Sequence, residues 1–225
     1  MLTAAAQDYL KEIYKLQKGR TPIPSVNTSM IAERMRVAAA SATRMVKRLA
    51  QLELLQHTPY QGVEITPAGE AAALEVIRHH RLLELYLTQV LGYRWDEVDA
   101  EADRLEHVIS EAFEDRIDRA LGYPTTDPHG APIPTKEGEI AEGNDTALTD
   151  VEEGKRVEVH QVSDRDPQAL RQLDVIGLKT GVQVAVQGRL SPHGPMRIQV
   201  DGGRTHELAP EVASRVYVTS IEETP

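Results

Sequence analysis

The chain has 225 residues, no cysteine, 25 Lys and Arg against 35 Asp and Glu, and a formal net charge of −10. That length buries a core without covalent staples and suits two domains better than one. Disulfides, thiolate metal sites and thiol nucleophiles are excluded, and no apolar run of about 18 residues is present to span a membrane, so a soluble cytoplasmic protein without a membrane partner is expected.

The charge is unevenly spread. Residues 1–63 carry nine Lys/Arg and four Asp/Glu, a balance of +5 that leaves −15 for the rest of a chain totalling −10. A basic head of this kind suits phosphates. Within it, Leu10, Ile13 and Tyr14 are spaced as one face of a helix over 3–17, closed by Gly19, Pro22 and Pro24. A short helix over 26–35 follows, then a third over 41–54. The third places Ala42, Met45, Val46, Leu49 and Leu52 on one stripe and Ser41, Arg44, Lys47, Arg48 and Gln51 on the other. Next, 54-LLQHTPYQGVEIT-66 reads as two short strands around Pro59-Tyr60-Gln61-Gly62. Three helices and a hairpin make a winged helix-turn-helix. Ser41, Thr43, Arg44, Lys47 and Arg48, with Tyr60 at the hairpin tip, form the expected DNA-facing set, because such groups read base edges and phosphates in a major groove. Taken alone, the polar stripe is equally a solvated helix face.

Thr66-Pro67 supplies an N-cap and an N1 proline for a long helix through Leu74, Ile77, Leu82, Leu85 and Tyr86 to about residue 91, before Gly92. A further helix is predicted over 96–121. Residues 124–154, with prolines at 124, 128, 132 and 134 and glycines at 130, 138, 143 and 154, read as a linker. Alternating stretches at 157–163, 182–190, 196–200 and 216–220 predict a small β-barrel. The expected fold is therefore mainly α with a β domain: a winged helix over 1–65, a helical domain over 66–123, the linker over 124–154 and the barrel over 155–225.

The stretch 99-DAEADRLEHVIS-110 raises a chemical question. On a helix it sets Asp103, Glu106 and His107 beside one another with Asp99 a turn away, and like charges at such spacing repel. A divalent cation relieves that repulsion, since carboxylate and imidazole are its usual ligands; a charged, solvated helix pair is the plainer alternative. His80 and Glu84 in 79-HHRLLE-84 repeat the chelating spacing, whereas His79 is expected to turn about 100° away into solvent. Asp8 is one lone carboxylate on the first helix. Glu-x-x-His, His-Glu-x-x-His, Walker A and dinucleotide glycine motifs are missing, so no enzyme is expected.

The segments 8-DYLKEIYKL-16, 31-IAERM-35, 43-TRMVKRL-49, 65-ITPAGE-70, 79-HHRLLE-84, 104-RLEHVIS-110 and 127-DPHGAPIP-134, in this order, resemble the diphtheria toxin repressor family of iron- and manganese-dependent transcription regulators. The resemblance implies a homodimer with a winged helix, a helical metal-binding and dimerisation domain and a C-terminal SH3-like, FeoA-like barrel. It implies a primary metal site at Asp8, Asp103, Glu106 and His107 and an ancillary site at His80, Glu84 and Asp99. Barrel ligands would come from 163-SDRDPQAL-170, with Asp166 and Gln168 as candidates and Asp164 as a rival. The iron regulators carry methionine and cysteine where Asp8 and Asp103 stand, and these harder oxygens favour Mn(II), with Fe(II) next and Zn(II) or Co(II) able to substitute in vitro. The short manganese regulators carry glutamate at the position of Lys11, which puts their two-metal arrangement in question. The implied function is a regulator whose metal orders the first helix and promotes dimer binding to a palindromic operator controlling metal homeostasis. Two alternatives remain: a winged-helix sensor of an organic ligand, and a metal buffer without DNA affinity.

Overall fold

The computed structural model describes residues 2–19, 22–23, 25–58, 62–141, 146–191 and 194–221. They fall into two compact units, one of Met1–His80, Leu105–Ser110 and Pro134–Glu139, the other of Arg81–Arg104, Glu111–Ile133 and Ile140–Pro225.

In the first unit, helix α1 (Ala4–Lys18) starts at Thr3, whose hydroxyl accepts the Ala6 N–H. It buries Leu10, Ile13 and Tyr14, the stripe its spacing predicts, and Tyr9 beside them. Asn27 caps α2 (Thr28–Arg34) by accepting the Met30 N–H at 2.9 Å. Helix α3 (Ala39–Gln51) buries Ala42, Val46 and Leu49. Strands β1 (Leu55–Thr58) and β2 (Gly62–Ile65) pair antiparallel as the wing, and the hairpin tip with Tyr60 lies outside the described residues. Two polar clamps fix α1 to its neighbours. The buried Gln17 amide donates to the Val63 carbonyl at 2.6 Å and accepts the Ile65 N–H at 2.8 Å, joining α1 to β2. Glu12 accepts a hydrogen bond from Arg34 at the end of α2. Burial pushes the Glu12 carboxyl up, but Lys15 and Arg34 outweigh it and hold it below its ordinary value.

Helix α4 (Pro67–Gln89) opens as expected, with the Thr66 hydroxyl accepting the Gly69 N–H at 3.1 Å. The single helix expected over 96–121 is instead two, α5 (Val98–Leu105) and α6 (Glu111–Ala120). The β-branched Val108 and Ile109 and the cap-type Ser110 interrupt the ladder, and Glu111 and Glu114 then place carboxylates in a fresh first turn. Glu106 and His107 consequently lie in the turn beyond α5.

The second unit carries a six-stranded antiparallel sheet: β3 (Thr146–Ala147), β4 (Arg156–Val162), β5 (Gln183–Arg189), β6 (Met196–Val200), β7 (Thr205–Leu208) and β8 (Val216–Ser220), in the order β3-β8-β4-β5-β6-β7. The four predicted stretches are β4, β5, β6 and β8; short β3 and β7 offered too little alternation to read. Helix α7 (Pro167–Val175), also unpredicted, is joined by the single turn α8 (Pro210–Ala213). Val159, Val186, Ile198 and Val218 from the strands, Leu170 and Leu173 from α7, and Trp95 share one core.

Part of the segment expected as linker is packed. Asp127 Oδ1 accepts the N–H groups of His129 at 2.8 Å and Ala131 at 2.9 Å, folding the loop on itself. Gly130, at φ +86°, lies so close to β4 that a Cβ would meet the His160 carbonyl oxygen at 2.1 Å. Among the described residues no helix is long and apolar enough to cross a membrane.

Candidate metal centre

Two carboxylate–imidazole clusters emerge, one within each unit. In the first, Asp8 from α1 meets Glu106 and His107 from the turn after α5, with potential ligand atoms within 4.8 Å of one another. His107 Nε2 lies 2.9 Å from Asp8 Oδ1 and 3.2 Å from Glu106 Oε1, and its Nδ1 lies 2.9 Å from Gln7 Oε1. Both ring nitrogens thus face oxygen. A neutral imidazole has one N–H, so if it donates to Gln7 the remaining lone pair points at carboxylates, an arrangement completed by a proton or a cation. Burial pushes the Asp8 carboxyl up, against the opposing pull of His107 and Lys11.

Glu106 is almost fully buried and holds other partners. Lys11 Nζ stands 2.6 Å from its Oε1, and His80 Nδ1 2.6 Å from its Oε2. His80, expected in the ancillary site, therefore bears on Glu106, a carboxylate expected in the primary one. His79 is not in solvent: it is 6% exposed, with Nδ1 3.1 Å from the Glu106 backbone oxygen. Asp103 is exposed in the last turn of α5.

The second cluster was only half foreseen. Glu84 of α4 meets Asp127 and His129, all three buried. The same glutamate also groups with Asp99 and Asp164. His129 Nε2 lies 2.7 Å from the Trp95 carbonyl, which can only accept, so the proton sits on Nε2. Its Nδ1 lone pair is then turned toward Glu84 Oε1, 3.5 Å away, and among the described residues neither Nδ1 nor Asp127 Oδ2 has a hydrogen-bond partner. Arg81 Nε, 3.7 Å from Asp127 Oδ2, offsets part of the charge. Burial and then the Glu84 carboxylate push Asp127 up to about 7; burial pushes His129 down, but Glu84, Asp127 and Asp164 outweigh it and the net direction is up. Both clusters are oxygen-rich with one imidazole, a donor set that fits a hard or borderline divalent cation.

The expected barrel ligands are placed differently. Asp166 caps α7, its Oδ1 accepting the Gln168 and Ala169 N–H groups at 2.9 and 3.2 Å while Oδ2 accepts from Arg215, and Gln168 is exposed. Among the described residues Asp166 groups with no other potential His, Asp or Glu ligands, whereas the rival Asp164 does. An Asp-Pro pair at a helix start is a capping signal, and it already accounts for Asp166. Sequence reading missed Asp127 and His129, which 127-DPHG-130 signals only as a turn, and Gln7, which carries no signal by itself.

On α3, Arg44, Lys47 and Arg48 are exposed and Ser41 and Thr43 half-buried, opposite Ala42, Val46 and Leu49. The Thr43 hydroxyl donates to the Ala39 carbonyl at 2.8 Å.

Comparison with known proteins identifies the family. Residues 1–63 match the model of the iron dependent repressor N-terminal DNA binding domain, residues 66–135 that of the iron dependent repressor metal binding and dimerisation domain, and residues 146–220 the FeoA domain. The iron-dependent repressor IdeR of Mycobacterium leprae (strain TN) is 33% identical over 98% of this chain and 99% of its own length. The chain belongs to the diphtheria toxin repressor family. Among solved structures of similar proteins, a manganese-dependent transcriptional repressor in complex with manganese superposes with a TM-score of 0.87 at 38% identity, covering 96% of this chain and all of that one. The manganese regulator SloR gives 0.77 at 32% identity over 98% of this chain and all of that one. The family is one of metal-dependent transcriptional repressors, and its three-part organisation, with an SH3-like C-terminal sheet, matches the fold described above.

Proposed function

We propose that this chain is a homodimeric, metal-dependent repressor that binds double-stranded operator DNA in the cytoplasm, with Asp8, Glu106 and His107 holding the activating ion. We further propose Glu84, Asp127, His129 and Asp164, flanked by Asp99, as the ancillary set. The observation that carries this reading is the convergence of Asp8, on the helix that supports the DNA-reading hardware, with Glu106 and His107 from the helical domain.

A bound divalent ion supplies the positive charge that lets these carboxylates stay together. The rest is done by the chain. Asp8 and Glu106 repel one another across the pocket, so the place of α1 depends on how that repulsion is met. Glu12 carries the position of α1 to α2 through Arg34, and Gln17 carries it to the wing through Val63 and Ile65. Ser41, Thr43, Arg44, Lys47 and Arg48 then face DNA from α3, in a dimer whose recognition helices need a spacing near one helical turn, about 34 Å. Oxygen donors in both sets support Mn(II) as the physiological ion and Fe(II) as the second candidate; the Irving–Williams order lets Zn(II) or Co(II) bind in vitro.

A gel shift on a duplex selected from random-sequence DNA tests this. Wild type is expected to shift the duplex in Mn(II) and not in EDTA, His107→Ala to lose the response to metal, and Arg44→Ala with Lys47→Ala to lose the shift while retaining metal uptake. An unchanged shift by His107→Ala would favour a sensor of another ligand; metal uptake without any shift would indicate a buffer.

A further inference from the structure

Lys11 is a strange occupant for a cation site. It is 5% exposed, its Nζ lies 2.6 Å from Glu106 Oε1, and Glu106 is 1% exposed. Burying both members of an ion pair costs about as much as their attraction returns, so such a pair is weak evidence for stability and calls for another role. Its placement follows from the helix: Lys11 is three residues beyond Asp8 on α1, so one turn delivers a carboxylate and an ammonium to the same place.

We propose that Lys11 is the resident cation of this site, its ammonium halving the negative charge left to meet a metal ion. The proposal rests on the reading of Asp8, Glu106 and His107 as ligands. Asp8 and Glu106, the two carboxylates that meet His107 there, less one ammonium leave a single negative charge in place of two. In the metal-free protein the ammonium holds the buried Glu106 carboxylate, keeping the turn after α5 in place. Toward an incoming divalent ion it is a like charge at close range in poorly screened surroundings, and so it lowers affinity. Lys11 thereby trades tight binding for a folded, receptive metal-free state.

The test is calorimetric titration of the full chain with Mn(II), alongside thermal melts in EDTA and in Mn(II). His107→Ala identifies the binding phase that belongs to this site. Lys11→Met removes the charge; Lys11→Gln removes it but keeps a donor for Glu106, so that a folded neutral variant is at hand. In the neutral variants that phase is expected to tighten by about tenfold or more, the melting temperature in EDTA to fall, and Mn(II) to restore it. Lys11→Arg keeps the charge and should behave as wild type in both readouts. Equal affinity and equal metal-free melting in wild type and Lys11→Gln would overturn the proposal alone. A wild-type titration with no phase removable by His107→Ala would overturn the ligand assignment and this proposal together.

Discussion

The two clusters use the same three residue types in opposite ways. Asp8, Glu106 and His107 sit in a partly open pocket where Lys11 already supplies one positive charge. Glu84, Asp127 and His129 are buried, with Arg81 Nε 3.7 Å from Asp127 Oδ2; burial and then Glu84 push the Asp127 carboxyl up, and the net direction at His129 is also up. One cluster joins elements of the DNA-binding half to the helical turn that follows α5; the other joins α4 to a loop folded against β4. The difference teaches that a carboxylate–imidazole cluster is defined by what balances its charge as much as by its ligand types.

The largest effect is expected at Gly130. Gly130→Ala forces a side chain into a left-handed conformation against the His160 carbonyl, and should cost roughly 3 kcal/mol of stability by chemical denaturation. It should also weaken the metal phase of the second cluster and spare the one lost in His107→Ala. Next comes Gln7→Leu, which removes the partner of His107 Nδ1 and is expected to lower Mn(II) affinity of the first cluster by about 10- to 100-fold, measured by calorimetry. A smaller effect is expected for Glu12→Gln, about 1 kcal/mol at pH 7. Because the native Glu12 carboxyl titrates below its ordinary value of 4.5, its stabilisation is fully present above that value and is lost as pH falls through the native one. Denaturation curves of wild type and variant should therefore converge in acid. The smallest effect distinguishes neighbours on one loop. Asp164→Ala should weaken metal binding at the second cluster, whereas Asp166→Ala should loosen the start of α7, read by hydrogen exchange, and leave metal uptake unchanged.

Helical spacing made α1, α3 and α4 legible, and the resemblance implied a site of Asp8, Asp103, Glu106 and His107, of which Asp8, Glu106 and His107 come together. Spacing failed where its premise failed. A helical wheel sorts residues by assuming one solvent face, but in α4 Val76, Ile77, Arg78, His79 and His80 are buried in succession, so the angle between His79 and His80 does not separate inside from outside. The break between α5 and α6 was hidden because Val108 and Ile109 are tolerated in helices and only weakly oppose them. Asp127 and His129 were illegible for a different reason: no period governs a loop, and their meeting with Glu84, more than 40 residues earlier, depends on the Asp127 turn and on the absence of a Cβ at Gly130.

The coupling between cation and DNA is the heart of the account, and reciprocity tests it most directly. Mn(II) affinity of the full chain should be measured by equilibrium titration with and without the selected duplex. The account predicts that duplex tightens the phase lost in His107→Ala by about 5- to 150-fold, the same factor by which Mn(II) tightens duplex binding. A Mn(II) affinity that is identical in the presence and absence of DNA would contradict it.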